Sequence, residues 1–415
     1  MDPGNFLLMV VLSSALGSSI GVFTGLVPGI HVNTAAAALL TAYPAMDALL
    51  SPVTGGNSPA FIAAVIVSAA TVHSFVDYVP SVFMGAPDAD DSLVVLPGHR
   101  LLMEGRGMAA VRASAVGSLA GCVCSLALAM PLAKAMEAGL SDLIARVTVA
   151  ALAIIMVALV CKERTLRDAA CTAMLLGASG LFGWVCLTKY GDATGPMGFG
   201  NMLFPMLTGL FGLPALVDSM GNPEIPVQRD EGAGVGLLPG IKGVVAGSVT
   251  GWFPGVTASA CAAVSSMASE NRDAEEYIST VSSVGTASVV FALITLISTG
   301  RQRSGAMVAV ADVTGGNVPF TFLLGAVACG AVVGFFATVA AGRFVSNRVS
   351  GVDMRKFNAV VIAALVAMAF ASGGLLGLAV LAVAAALGTL PLALGVGRVA
   401  LSGSLIVPAF MAYLF

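Results

Sequence analysis

The chain has 415 residues, of which 58% are hydrophobic and only 10% charged, with a net charge of −3. A soluble domain carries about 25% charged residues because its surface faces water. A mean hydropathy of +0.97 therefore excludes a water-soluble globule, and without a dense basic cluster nucleic acid is not an expected partner.

The apolar runs are continuous and rich in Ala, Leu, Val and Gly, as in residues 147–161 and 357–387. A transmembrane β-barrel would alternate polar and apolar residues over strands of about ten. The runs instead predict helices, which satisfy their own backbone in lipid. The expected fold class is an all-α polytopic membrane protein.

In chain order, the apolar segments are 6–27, 31–46, 59–84, 107–133, 143–161, 169–189, 200–217, 237–253, 256–268, 277–299, 318–345, 357–385 and 386–413. A span needs about 20 apolar residues, so 31–46 and 256–268 are too short to cross. The stretches 357–385 and 386–413 need not hold one span each. About 10–12 membrane elements follow, some of them half-helices or re-entrant hairpins. No basic region precedes Phe6, which predicts a retained first helix rather than a cleaved signal. The seven cysteines lie in or beside apolar segments without zinc-type CxxC spacing and read as small buried apolar residues.

Residues 218–235 combine two prolines, three glycines and mixed charge, which is linker chemistry. They divide the chain into a first transmembrane half (1–217) and a second (236–415). The clusters Lys162, Arg164, Arg167 and Arg343, Arg348, Arg355, Lys356 predict cytoplasmic loops in a multi-pass protein of the cell (plasma) membrane.

The halves share a motif. Residues 17–37 (GSSIGVFTGLVPGIHVNTAAA) align with 243–263 (GVVAGSVTGWFPGVTASACAA) at an offset of 226. Gly17, Gly21, Thr24, Gly25, Pro28 and Gly29 match Gly243, Gly247, Thr250, Gly251, Pro254 and Gly255 in order. Glycines four apart share one helix face. The proline ends the helix near Val27 or Phe253, and the glycine after it permits a turn. A new helix then starts in each half, with free N–H groups and partial positive charge at membrane depth, an end that binds anions. Two related halves, read as inverted, with helices broken or re-entrant at Pro-Gly, are thus expected. The alternative is a kinked helix whose Ser, Thr and Asn only cap its second piece.

The segment GLVPGIHVNTAA, followed by FMGAPDADDSLVVLPGHRLLMEGRGMAAVRASAVGS (83–118), resembles the large membrane subunit of tripartite tricarboxylate transporters, particularly the archaeal branch. The likeness covers the first half well and the second through GWFPGVTAS. It implies a secondary carrier for organic anions, coupled to Na⁺ or H⁺, that binds substrate near the midplane. It places Pro28, Gly29, His31, Asn33 and Thr34 on one side of the site and Pro254, Gly255, Thr257 and Ser259 on the other. The second copy has no residue of the type of His31, so the halves cannot contribute identical chemistry. A small membrane subunit or a binding protein stays open as a partner, as does a homo-oligomer.

Further polar residues stand in apolar surroundings. His73 and Asp77 are four apart, hence on one helix face. They either take part in ion coupling or lock two helices as a hydrogen-bonded pair. Asp312 either joins them or caps a turn. Asp88, Asp90 and Asp91, with His99 and Arg100 beyond, form either a cation or substrate loop or a solvated loop. Gly300-Arg301-Gln302-Arg303 is the basic counterpart in the second half. With no HExxH, and no GxSxG with a suitable His, an enzyme is not expected, and neither is a cofactor. A translocase for a polyprenyl phosphate or another lipid-linked anion is the main alternative, because it would use the same helix-end chemistry.

Overall fold

The computed structural model describes residues 3–27, 32–84, 95–191, 193, 195–196, 202–220, 225–230, 234–253, 256, 261, 273–317, 320–350 and 353–414. Among these residues the protein is helical and contains no strand. The helices are α1 (Pro3–Leu26), α2 (Val32–Thr54), α3 (Ser58–Val76), α4 (Tyr78–Met84), α5 (Val95–Met103), α6 (Gly107–Ala135), α7 (Ser141–Cys161), α8 (Leu166–Lys189), α9 (Leu203–Leu207) and α10 (Leu213–Ser219). They continue with α11 (Leu238–Trp252), α12 (Ala274–Thr299), α13 (Gly305–Thr314), α14 (Phe320–Val349), α15 (Met354–Leu394) and α16 (Gly403–Leu414). Seven helical stretches among the described residues are long and apolar enough to cross a membrane. The all-α polytopic class expected from composition is the one observed.

The structure gives several of these segments their detail. The run 31–46 continues as α2 to Thr54, with Asp47 accepting a hydrogen bond from Ser58 Oγ, and α2 is not among the stretches long and apolar enough to cross. The stretches 357–385 and 386–413 divide elsewhere. Helix α15 breaks at Gly374 (φ 60°, ψ −147°), where the Gly195 N–H takes the Ser372 carbonyl at 2.8 Å. Residues 225–230 of the linker are docked against the helices. Arg229 N–H donates to the Gly105 carbonyl at 2.8 Å, Gln228 Oε1 accepts from Gly107 N–H at 2.9 Å, and Asp230 pairs with Arg112 and Arg343. The cysteines are all free; Cys122, Cys186 and Cys261 are buried, whereas Cys161 is exposed.

The glycine stripes show how the core is assembled. Helix α1 lies along α3, where a Cβ on Gly17, Gly21 or Gly25 would meet the Cβ of Ser68, Val72 or Val76 at 2.8, 2.8 and 3.0 Å. Helix α11 lies along α12 in the same manner: Gly243 and Gly247 would meet the Cβ of Ser283 and Ala287 at 2.6 and 2.7 Å, and Gly251 abuts that of Phe291. The partners keep one constant shift, Ser68 to Ser283, Val72 to Ala287, Val76 to Phe291. One hydrogen bond repeats with them. Ser68 Oγ donates to the Ser14 carbonyl at 3.1 Å, and Ser283 Oγ donates to the Gly240 carbonyl. Small residues allow this approach, and packing plus such bonds replace the hydrophobic force that lipid removes.

The third helix of each unit comes from the opposite half. Helix α14 packs on α1 and α3, and α6 packs on α11 and α12. Gly330 lies against Ser68 and Thr71 as Gly121 lies against Ser283. The two units run antiparallel. The carboxyl ends of α1, α4 and α14 (Leu26, Phe83, Val345) share a cluster with the amino ends of α6 and α12 (Met108, Ile278). A second exchange repeats the pattern, with Gly183 on the Ser404 carbonyl and Gly388 on the Leu210 carbonyl. At Gly17 or Gly243 a leucine would strike backbone atoms rather than a yielding side-chain tip. Overpacking of this kind costs about 1–3 kcal/mol or more. Thermal melting in detergent should show Gly17→Leu and Gly243→Leu each clearly destabilised. Gly177→Leu, where nothing lies within 4 Å, should match the parent protein.

Candidate functional site

Both motif helices stop two residues before their proline. Helix α1 ends at Leu26, with Val27 N–H bonded to the Phe23 carbonyl at 3.1 Å. Helix α11 ends at Trp252, with Phe253 N–H on the Val249 carbonyl at 2.9 Å. Phe253 is extended (φ −103°, ψ 127°), as the residue before a proline must be when the ring crowds the helical conformation. Pro28, Gly29, His31, Pro254, Gly255, Thr257 and Ser259 lie outside the described residues, as do Asp88, Asp90 and Asp91. Thr34 lies in the first turn of α2.

Asn33 has a specific task. Its Oδ1 accepts the Ala306 N–H at 2.9 Å, and a Cβ on Gly305 would press on Asn33 at 2.9 Å. The first turn of α2 is thereby tied to the first turn of α13, whose cap is Ser304. The same connection carries Arg301 and Arg303, which share a pocket with Trp252 at the end of α11. Residues 301–306 thus touch the helix that follows the first break and the helix that precedes the second.

His73 and Asp77 are both buried, at 4% and 5% exposure. His73 Nδ1 lies 3.0 Å from Thr24 Oγ1, the motif threonine of the first break. Asp77 occupies the joint between α3 and α4; its N–H donates to the His73 carbonyl at 3.0 Å and its carbonyl accepts from Ser81 N–H at 3.2 Å. Gly25 abuts both residues, so α1 delivers Thr24 to this pair. In the second half the constant shift places Ser288 and Ala292 at the two positions. Thr250 there donates to the Ala246 carbonyl at 3.4 Å and contacts Cys261 Sγ at 3.3 Å. One unit thus holds an ionisable pair beside its motif threonine, and the other holds neither member.

The remaining candidates occupy other elements. Asp312 is exposed near the end of α13, where its backbone carbonyl accepts the Gly315 N–H at 3.4 Å. Arg100 forms a surface ion pair with Glu104 at 3.0 Å, and His99 is half-buried beside it on α5. Among the described residues, no group of three or more His, Cys, Asp or Glu side chains is arranged to hold a metal.

Sequence reasoning passed over two residues. The repeat marks Thr24 in the sequence, whereas its partnership with His73 exists only in the fold. Arg398, 7% exposed, sits in the 3₁₀ turn Arg398–Ser402 that leads into α16. Its signal was present: a lone arginine within the apolar stretch 386–413 is costly in a membrane and marks a polar interior.

The chain is similar to known proteins along most of its length. Residues 11–402 match the model of the tripartite tricarboxylate transporter TctA family. An uncharacterized protein of Methanocaldococcus jannaschii is 25% identical over 303 residues, which is 72% of this chain and 71% of that protein. No solved structure matches the chain. The family is one of transporters, in keeping with a polytopic membrane chain built from broken helices. A family match from residue 11 to residue 402 makes the chain a member of the tripartite tricarboxylate transporter TctA family.

Proposed function

We propose that the protein is a secondary active transporter of a di- or tricarboxylate-like organic anion in the cell membrane, driven by Na⁺ or H⁺. The observation that carries this reading is the matched pair of helix ends. Leu26 and Trp252 stop two residues before Pro28 and Pro254, each on the same glycine-seated contact, in units that run antiparallel. Broken helices in corresponding positions of two repeats mark substrate sites in transporters.

Substrate carboxylates meet the helix starts beyond the breaks, where free N–H groups favour negative charge. His31 and Thr34 supply hydrogen bonds from the first half, with Thr257 and Ser259 from the second. Asn33 contributes by holding α2 to α13 through Ala306. Motion of one unit against the other opens the site alternately to either side. His73 and Asp77 hold the coupling ion, because a buried ionisable pair beside one break has no counterpart at the other. The family name also supports a binding protein or a small membrane subunit as a partner.

Proteoliposomes holding the purified chain should accumulate labelled citrate or succinate when a Na⁺ or H⁺ gradient is imposed. Failure to move any di- or tricarboxylate under either gradient, with candidate partner proteins supplied, would sink the proposal. His31→Ala should lower uptake about tenfold or more, equivalent to at least 1.4 kcal/mol of binding, while the melting temperature stays unchanged. Asp77→Asn should keep exchange of substrate across the membrane but lose its response to the gradient. An unaltered gradient response in Asp77→Asn would remove Asp77 from the coupling role.

A further inference from the structure

A small half-open pocket lies where α11 and α12 end, between them and the turn that joins α6 to α7. Its polar lining is Ser141, Trp252, Thr295, Thr299, Arg301 and Arg303. The hydroxyl protons are already committed. Thr295 donates to the Phe291 carbonyl at 2.9 Å, Thr299 to the Thr295 carbonyl at 2.7 Å, and Ser141 to the Met136 carbonyl at 2.9 Å.

The nitrogen donors are not. Trp252 Nε1 and Arg303 Nε are buried, and among the described residues neither meets an acceptor. Arg303 directs another N–H to the Tyr413 hydroxyl at 2.9 Å. Indole and guanidinium nitrogens only donate, so the pocket holds two cations and an indole N–H, and two of its buried N–H donors, Trp252 Nε1 and Arg303 Nε, meet no acceptor among the described residues. Arginines after a helix commonly serve to offset the negative end of its dipole. Here Gly300, in the left-handed conformation, caps α12 with its own N–H on the Leu296 carbonyl.

We propose that this pocket binds an oxyanion, a carboxylate or phosphate group, through Trp252 Nε1–H and the guanidinium groups of Arg303 and Arg301. The group comes either from a soluble anion or from an anionic lipid. Both fit, because the exposed apolar residues Leu143 and Leu414, on helices α7 and α16 that contribute Ser141 and Tyr413, offer a surface for acyl chains. The inference does not depend on transport, since binding is read without a gradient.

The chain has two tryptophans, so Trp184→Phe leaves Trp252 as the sole indole reporter. Its emission should change saturably with inorganic phosphate or citrate in detergent, or between nanodiscs of phosphatidylglycerol and phosphatidylcholine. A response to the soluble anions alone identifies a solute site, and a response to phosphatidylglycerol alone identifies a headgroup site. Adding Arg303→Gln or Arg301→Gln should shift the midpoint about tenfold or abolish the change. Arg301 is exposed, so its variant keeps the test valid if Arg303→Gln fails to fold. Emission that follows chloride at equal ionic strength, or an unchanged midpoint in both arginine variants, would overturn the proposal.

Discussion

Backbone-to-backbone contact between glycine stripes and their partner helices is the constraint on which the rest of the molecule depends. Lipid tails are as apolar as leucine, so burial of hydrocarbon does not drive helices together within the membrane. Close packing and hydrogen bonds between helices must do so, each such bond contributing about 0.6 kcal/mol on average. The Gly17-Gly21-Gly25 and Gly243-Gly247-Gly251 stripes meet that need on α3 and α12. The repeated serine-to-carbonyl bonds at Ser68 and Ser283 add to the same contacts. Because each stripe ends where its helix stops, the packing that joins the helices also fixes where each broken end lies.

Exchange of third helices makes the halves inseparable. Helix α6 completes the unit of α11 and α12, and α14 completes that of α1 and α3. The docked linker and the ion pair between Arg106 and Glu275 hold the end where the exchanged helices meet. On this symmetric frame the chemistry is unequal. His73 and Asp77 stand beside the first break, and the donor-rich pocket of Trp252 and Arg303 stands beside the second. Each broken end therefore meets a different set of polar groups.

Much of this was legible in the sequence, for physical reasons. The Thr-Gly-x-x-Pro-Gly break is local, so proline and glycine announce it wherever the fold puts it. The stripes were legible because glycines four apart share a helix face. The exchange of α6 and α14 was not, since nothing within either helix names a partner more than a hundred residues away. Asn33 read as a substrate residue because of its place in the motif. That its Oδ1 holds Ala306, 273 positions distant, is a tertiary fact. The contact of Asp47 with Ser58, across the turn between α2 and α3, is likewise a tertiary fact.

The central claim is that two interleaved units of one chain run in opposite directions through the membrane. Single cysteines in place of Asn5, at the start of α1, and of Gly236, just before α11, test it directly in a cysteine-free background. Both positions are exposed. A membrane-impermeant maleimide applied to sealed, oriented vesicles should label them from opposite sides. Labelling of both from the same side would contradict the account.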